Sequence, residues 1–459
     1  MEYEKQQQPL SAWSTGIKPR IIIHGGAGNI QRRNFPPEKY EQYRAALLAT
    51  VRSTQDFIES AVPEKCGELG KRHHSALDIA CHAIVRLEDN PLFNAGRGAV
   101  FTRDGINQLE ASVVVSRGRA KHCAGVSGLR HVRNPILLAK TMLERGDKDL
   151  RPEAGRGGAA SSASPGLGDE ELDGAGRQGP AARGRAWWRG LGHTLVWGRA
   201  AEQLARDYGL QMVDPSYFFT QHRWDEHIRG LEREKQGLGS ATWSADEYVA
   251  QGTVGAVALD QDGIVCAATS TGGMTNKLTG RIGDTPVPGA GFWAEEWTES
   301  GHPTSRGGWE KLTDAAARSG PGVSISGPLR GLLADCLPTP FTYAPSPSSS
   351  PHMPLTFDAS SSPRTAVSRS LGVSGTGGPH GELQRSAGDR WGLAGEGEGG
   401  MVGVECVVER DAASGQVVRV RSDVVMDFNC GGMNRAWIDE HGQAIMSVWT
   451  NGGPDADRP

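Results

Sequence analysis

Residues 252 to 291 have the sequence GTVGAVALDQDGIVCAATSTGGMTNKLTGRIGDTPVPGAG. Small and β-branched residues from Thr253 to Asp260 predict one strand, and those from Gly263 to Ala268 predict a second. The intervening Gln261-Asp262-Gly263 is typical of a tight turn, because glycine accepts backbone angles that other residues avoid. The pattern therefore predicts a β-hairpin that begins at a threonine preceded by Gly252.

The segment that starts the ordered part of the chain has the same character. Arg20 to His24 (RIIIH) is a β-branched run that predicts a buried strand, and it ends in Gly25-Gly26-Ala27-Gly28. This glycine run has neither the GxGxxG nor the GxxxxGK spacing of a phosphate loop, so we expect it to pack under a functional site. Helices are predicted from Pro37 to Ser60 and from Ser75 to Glu88, the second with Ser75 and Asp78 at capping spacing.

Further elements follow on both sides of the hairpin. Gln108 to Ser116 predicts a strand, whereas Pro135 to Arg145 and Thr194 to Gly209 predict helices. Three more strands are predicted near the end, at Met401 to Val408, Val417 to Val425 and Ala444 to Val448. Strands at both ends with helices between them favour two packed sheets under helical layers.

Two stretches do not resemble a folded core. Residues 147 to 190 are rich in Gly, Ala, Arg and Ser without periodicity, and residues 299 to 368 contain Pro and Ser runs such as SPSSSPHMP. Such segments bury too little apolar surface to offset the entropy of ordering them. We therefore expect two disordered inserts, consistent with 63 glycines and 26 prolines among 459 residues.

The net charge and the cysteines limit which binding partners and which cellular compartment we expect. The net charge of −4 provides no broad positive field, so we expect no nucleic-acid partner and favour a small substrate. Seven scattered cysteines without a CxxC pair indicate reduced thiols. The N-terminus lacks the pattern of a secretory signal, and no apolar run is long enough to span a bilayer, so we expect a cytoplasmic protein without membrane contact.

Thr253 is the residue on which the chemistry depends. A threonine hydroxyl is a weak nucleophile, but a threonine at a new N-terminus has its own α-amine as a base, with a pKa of about 7.7 to 8.0. Gly252 has no Cβ, so its carbonyl can be exposed to attack by Thr253. Spacing alone favours a threonine that merely opens a strand, because Gly-Thr before a β-rich run is common.

A longer comparison changes that balance. Residues 252 to 291 closely resemble the β-subunit start of the plant-type asparaginases, also called isoaspartyl peptidases, of the Ntn-hydrolase superfamily. Four other segments share the resemblance, namely IIIHGGAG (21–28), LEDNPLFNAGRGAVFTRDG (87–105), LEASVVVSRG (109–118) and NPILLAKTMLERG (134–146), and DFNCGGM (427–433) is similar too.

The resemblance implies a four-layer αββα sandwich with two stacked, mainly antiparallel sheets. It also implies autoproteolysis between Gly252 and Thr253 into an α-subunit (1–252) and a β-subunit (253–459), assembled as a dimer of αβ heterodimers. The implied activity is hydrolysis of L-asparagine and β-aspartyl peptides, with no cofactor for catalysis.

Site residues follow from the same resemblance. Thr253 is implied as nucleophile and base, with Thr271 hydrogen-bonded to its hydroxyl and Asn94 nearby. Arg281 and Asp284 are implied to bind the α-carboxylate and α-amine of the substrate, since a guanidinium makes two parallel bonds to a carboxylate. Thr376 and the backbone N–H of Gly377 are implied to bind substrate and to form the oxyanion hole. The backbone carbonyls implied to hold a structural sodium or potassium ion are those of Leu87, Glu88, Asn90, Phe93, Ala95 and Arg97.

One segment departs from the family. After Thr376-Gly377 the family continues into a helix, whereas this chain has Gly378-Pro379-His380-Gly381.

Three alternative functions stay open: a glycosylasparaginase-like hydrolase, a protein-cleaving threonine aspartase, and an inactive member that acts as a binding scaffold. Glycosylasparaginases usually have Asp-Thr at the cleavage point, and threonine aspartases lack the TSTGGMTNK segment found here at 269–277.

Overall fold

The computed structural model describes residues 13–60, 73–119, 122–149, 194–237, 252–299, 365–376 and 399–449. These residues form two β-sheets, mainly antiparallel, together with helices. The strands are β1 (Arg20–Gly28), β2 (Leu109–Val115), β3 (Cys123–Leu129), β4 (Leu195–Trp197), β5 (Val254–Leu259), β6 (Val265–Thr271), β7 (Phe292–Glu299), β8 (Thr365–Thr376), β9 (Gly400–Asp411), β10 (Val417–Phe428), β11 (Gly432–Ile438) and β12 (Ala444–Ser447). The helices are α1 (Pro37–Glu59), α2 (Ala76–Glu88), α3 (Pro135–Asp149), α4 (Gly198–Asp207) and α5 (Gln221–Lys235).

The larger sheet has eight strands in the order β12-β11-β1-β5-β6-β2-β3-β4, and the smaller has the order β10-β9-β8-β7. The predicted hairpin is confirmed as β5 and β6, which pair antiparallel from Val254 opposite Ser270 to Leu259 opposite Val265. β5 also pairs with β1, where His24 lies opposite Gly255. The start of β5 therefore lies inside the sheet, between two hydrogen-bonded neighbours.

Apolar side chains on the two faces of the large sheet form two separate clusters. In β1, Ile21 and Ile23 pack with residues of α1 to α4, whereas Ile22 packs with Val402 and Val404 of β9. The same division holds in β5 and β6, because successive side chains of a strand point to opposite faces. The large sheet is thus covered by helices on one face and by the small sheet on the other.

Two compact units can be distinguished in the chain. The larger comprises Met1–Thr298, Ser368–Glu409 and Val417–Pro459, and the smaller comprises Glu299–Val367 and Arg410–Gln416. In the smaller unit, Asp411 closes a turn by accepting hydrogen bonds from the backbone N–H groups of Ala413 and Ser414. The predicted site residues that the structure describes all belong to the larger unit.

Some predicted elements differ from the structure. The helix predicted over 194–209 is wrong at its start, because Leu195–Trp197 is a strand that pairs in parallel with β3, and Gly198 at φ +59° marks the change to helix α4. Strands β3, β7, β8 and β11 and helix α5 are not predicted from the sequence. In β3 (CAGVSGL), weak local strand preference is overcome by pairing with strands on both sides.

The edges of the two predicted inserts also shift. α3 extends to Asp149, and β8 begins at Thr365. The remainder of the predicted inserts, 150–190 and 300–364, lies outside the described residues. No helix in the described part of the chain is both long enough and apolar enough to cross a membrane.

Candidate active site

Thr253 lies directly before β5 and is buried, with 7% of its surface exposed. Its Oγ1 lies 3.1 Å from Oγ1 of Thr285, a residue with no exposed surface. The backbone carbonyl of Thr285 accepts hydrogen bonds from the hydroxyls of Ser112 at 2.6 Å and Thr269 at 3.2 Å. A hydroxyl is too weak a base to remove a proton from Thr253, so the base has to come from elsewhere.

The predicted hydrogen bond between the hydroxyls of Thr253 and Thr271 is replaced in the structure by the bond to Thr285. Thr271 ends β6, one position beyond Ser270, which pairs with Val254. Its Oγ1 instead accepts a hydrogen bond from the backbone N–H of Gly273 at 2.9 Å. Thr271 therefore shapes the Gly272-Gly273 loop next to the nucleophile, because a threonine hydroxyl at a strand end can bond the backbone two residues on.

Gly252 packs against the glycine run that follows β1. A Cβ built on Gly252 would lie 2.2 Å from Cα of Gly26 and 2.6 Å from N of Ala27, distances that no methyl group can occupy. Gly26 has φ +110°, and the register of β1 shifts between His24 and Ala27. The structure thus agrees with the expectation that these glycines pack under the site, where they let two backbone segments meet.

His24 lies under the first residues of β5. Its Nε2 is 3.1 Å from Oγ of Ser374 in β8, and the ring is completely buried. Complete burial lowers the pKa of His24 to about 3, and the nearby backbone of Thr253 opposes this only in part. His24 is therefore a neutral ring that connects the strand of the nucleophile with β8, and Gly255 between them leaves room for it.

Asn94 supports the loop that follows Thr271. Its Nδ2 donates to the carbonyl of Gly273 at 2.7 Å, and its Oδ1 accepts from the N–H of Val100 at 3.1 Å. Its own carbonyl accepts from the N–H of Gly272 at 3.0 Å. Asn94 is buried, and two of these hydrogen bonds fix the Gly272-Gly273 turn beside Thr271, whereas the bond from Val100 holds the Asn94 side chain in place.

Arg281 and Asp284 lie in the loop that ends at Thr285. The Arg281 side chain is exposed and Asp284 is half-buried. Between them, the N–H of Gly283 donates to both carboxylate oxygens of Glu110, each at 3.2 Å. Because Thr285 directly follows Asp284 and contacts Thr253, the structure brings the end of the predicted substrate loop to the predicted nucleophile.

The predicted oxyanion residues are only partly described. Thr376 is the last residue of β8, and Gly377 lies outside the described residues, as does the irregular stretch that follows it. Two residues before Thr376, Ser374 donates to the carbonyl of Ala268 in β6 at 3.4 Å and contacts His24. β8 therefore ends beside the strands that hold Thr253 and Thr271.

The loop from Leu87 to Gly98 has the tight winding that a carbonyl cage requires. A Cβ on Gly96 would lie 2.4 Å from the carbonyl oxygen of Glu88, and one on Gly98 would lie 2.1 Å from that of Phe93. The carbonyls of Asn90 and Ala95 each accept one backbone hydrogen bond, from the N–H groups of Phe93 and Gly98, which leaves a lone pair on each. These residues and Arg97 belong to the set that the resemblance implies for the cation.

Sequence reasoning missed several residues at this site. Thr285, Ser374, Glu110 and Lys277 make contacts that no spacing rule predicts, because their partners come from other strands. The sequence gives one indication that Thr285 belongs to the site, which is its position directly after Asp284 in GRIGDT. In the described residues, no group of three or more His, Cys, Asp or Glu side chains is arranged to hold a metal ion.

Comparison with known proteins agrees with this geometry. The sequence profile of the family described as Asparaginase matches residues 17–155 and 178–304, more than half of the chain. The isoaspartyl peptidase of Escherichia coli (strain K12) is 36% identical over 277 residues, covering 60% of this chain and 68% of that protein.

Two relatives from other lineages show the same match. The plant-type L-asparaginase of Pyrococcus abyssi is 33% identical over 280 residues, covering 60% of this chain and 70% of the relative. The isoaspartyl peptidase/L-asparaginase of Danio rerio is 27% identical over 289 residues, covering 63% and 71%. On the evidence of the family match and of these relatives, this chain belongs to the asparaginase family.

Proposed function

We propose that this chain is an autoproteolytically activated amidohydrolase that hydrolyses L-asparagine and β-aspartyl peptides with Thr253 as its N-terminal nucleophile. The observation that carries the proposal is the position of Thr253. Its buried hydroxyl lies 3.1 Å from that of Thr285, directly after a glycine that is packed against Gly26. The names of the relatives in E. coli and P. abyssi support the same activity.

Maturation would begin with attack of Thr253 Oγ1 on the carbonyl carbon of Gly252. The C–N bond breaks as the C–O bond forms, so that Gly252 becomes an ester of the Thr253 hydroxyl and the nitrogen becomes a free amine. Water then hydrolyses the ester, leaving a carboxylate on Gly252 and the hydroxyl on Thr253. The packing of Gly252 against Gly26 and Ala27 holds the carbonyl in place for this step.

Hydrolysis would use the amine that maturation releases. A free α-amine with a pKa of about 7.7 to 8.0 takes the hydroxyl proton at neutral pH, and Oγ1 attacks the side-chain amide carbon of the substrate. The amine or ammonia leaves with a proton, and water hydrolyses the remaining ester to release aspartate. Thr285 and Thr271 orient the nucleophile and the loop beside it.

Substrate recognition would use the loop before Thr285. The guanidinium of Arg281 would bind the α-carboxylate through two parallel bonds, and Asp284 would bind the α-amine. Thr376 and the N–H of Gly377 would stabilise the oxyanion, a contribution of about 3 to 4 kcal/mol for each donor. Asn94 contributes by holding the carbonyl of Gly273.

The family resemblance also supports the assembly. The large sheet combines strands from both sides of the cleavage point, since β1 lies between β11 and β5, and β2 pairs with β6. The two fragments would therefore stay joined by strand hydrogen bonds, and we propose a dimer of such αβ heterodimers in the cytoplasm. The four-layer αββα arrangement, with a second helical layer over the small sheet, is part of this proposal.

A sodium or potassium ion held by the loop from Leu87 to Arg97 would have a structural role. It would neutralise converging carbonyl dipoles and so order the loop that contains Asn94. The residues that would hold it include Glu88 and Phe93, whose carbonyl oxygens lie close to Gly96 and Gly98. Catalysis itself would need no cofactor.

The deciding experiment measures the intact mass of purified protein during incubation. The proposal predicts two fragments, one ending at Gly252 and one beginning at Thr253, and a Thr253→Ala variant that stays whole. Cleaved protein should then release ammonia from L-asparagine and the C-terminal residue from a β-aspartyl dipeptide. A single uncleaved mass would favour the inactive scaffold, and activity confined to glycosylasparagine or to folded proteins would favour the other two alternatives.

A further inference from the structure

A buried ion pair lies beneath the loop that contains Arg281 and Asp284. Lys277 and Glu110 each have 1% of the side chain exposed, and Nζ of Lys277 lies 3.9 Å from Oε1 of Glu110. Burial raises the pKa of the Glu110 carboxyl and lowers that of the Lys277 ammonium, although each charge favours the ionised form of the other. Burying two charges is costly, and such an ion pair adds little net stability. Stability alone therefore does not explain why this pair is present.

The loop above this pair is not held by apolar packing. Leu278 is 70% exposed and Ile282 is 41% exposed, so the apolar side chains of the loop point to solvent. Polar contacts to Gln108 and to Glu110 of β2 hold it instead. The N–H of Gly280 donates to the Gln108 side chain at 2.8 Å, and the N–H of Gly283 donates to both oxygens of Glu110.

Lys277 connects this loop to the nucleophile. Its Nζ donates to the carbonyl of Gln108 at 2.9 Å, and its side chain crosses Gly273, where a Cβ would lie 2.7 Å from Nζ. Gly273 is the residue whose N–H bonds Thr271. Glu110 in turn lies directly opposite Thr271 in the pairing of β2 with β6.

We propose that the Glu110–Lys277 pair positions Arg281 and Asp284 relative to Thr253, so that it determines affinity for the aspartyl end of the substrate. Glu110 holds Gly283, which lies between the two predicted substrate ligands, and Lys277 holds Glu110 and the chain beside Gly273. Neither side chain touches the reacting atoms, and both act through the loop. The inference rests on the proposed function of Arg281 and Asp284.

The test compares Glu110→Gln, Lys277→Met and the double variant with wild type. Because removing one partner leaves the other buried and unpaired, each single variant should raise KM for L-asparagine and for a β-aspartyl dipeptide by about tenfold or more. We expect kcat to change by less than about threefold, since the nucleophile keeps its own contacts. The double variant should show less than the product of the two single effects, because no charge is left unpaired.

Lys140→Met is the matched control. Lys140 forms an ion pair with Asp78 in the helical layer, where it makes no contact with the substrate loop, and its loss should leave KM unchanged. Amide hydrogen exchange provides a readout that needs no activity. Exchange over residues 278–284 should accelerate in Glu110→Gln and in Lys277→Met, but not in Lys140→Met.

Two results would overturn the inference. One is an unchanged KM together with unchanged exchange over residues 278–284. The other is a loss of kcat and of self-cleavage in parallel at constant KM, which would indicate a general structural role. If wild-type protein hydrolyses neither substrate, the proposed function is wrong, and the exchange measurement still decides whether the pair holds the loop.

Discussion

Oγ1 of Thr285 lies 3.1 Å from Oγ1 of Thr253, and both side chains are buried at the start of β5. The two residues come from opposite ends of the segment 252–291, and the hairpin and the substrate loop bring them together. Thr285 is fixed through its carbonyl by Ser112 and Thr269, so its hydroxyl is a pre-positioned partner for the nucleophile. This contact links the proposed substrate loop after Gly280 with the proposed nucleophile Thr253.

Replacing Thr285 by Val should slow both self-cleavage and hydrolysis. Valine has the same shape but no hydroxyl, so the Thr253 hydroxyl loses one hydrogen bond, which is worth about 0.5 to 1.5 kcal/mol or up to about tenfold in rate. Thr285→Ser keeps the hydroxyl and should retain most of both rates. Time courses of intact mass and of ammonia release measure the two reactions, and equal rates in Val and wild-type protein would contradict the role.

Gly252→Ala should impair maturation. The new methyl group would lie 2.2 Å from Cα of Gly26, so the scissile segment has to move away from the glycine run. A displacement of this size can slow an aligned reaction by about 100-fold. Gly16→Ala is the control, since no atom lies within 4 Å of a Cβ at that exposed position. The cleaved fraction of each variant over time gives the answer, and wild-type cleavage of Gly252→Ala would rule out the steric argument.

The free energy of unfolding should decrease as the pH is lowered, because His24 is buried in its neutral form. Its pKa is about 3 in the folded chain against 6.5 for a free side chain, so below pH 6.5 the unfolded chain binds the proton more strongly. The folded state therefore loses about 1.4 kcal/mol per pH unit as pH decreases from 6.5 towards 3, and this group has no further effect above 6.5.

His24→Gln removes this group and should flatten the decline, although the variant is less stable at neutral pH because the contact between His24 and Ser374 is lost. His441→Gln replaces an exposed histidine and should keep the wild-type slope. Urea midpoints at about pH 7.5 and about pH 5 compare the three proteins. Equal slopes for wild type and His24→Gln would show that His24 titrates normally in the folded state.

The cation proposal predicts a dependence of stability on the salt used. Sodium or potassium chloride should raise Tm by about 2 to 4 °C over tetramethylammonium chloride at equal ionic strength, because a bound ion stabilises only the folded loop. Gly98→Ala should abolish the difference, since its methyl group would overlap the carbonyl of Phe93. The same Tm in all three salts would argue against a cation at this loop.

Elements with a strong local pattern were predictable. The hairpin of β5 and β6, helix α1 and the Ser75 cap of α2 all follow from neighbouring residues, and the structure confirms them. β4 was predicted as helix, because a three-residue strand exists only through its pairing with β3. β11 was missed for a similar reason, since it is held between β1 and β12.

At the candidate site, Thr253 and its preceding glycine could be identified from the sequence only through the resemblance of residues 252 to 291 to the plant-type asparaginases, because Gly-Thr before a β-rich run is common. The partner of its hydroxyl could not. His24 and Ser374 are 350 positions apart, and Glu110 and Gly283 are 173 apart, so their contacts depend on the order and register of the strands. Those quantities arise only when the sheets assemble, since a hydrogen-bonded ladder brings together residues that no local pattern relates.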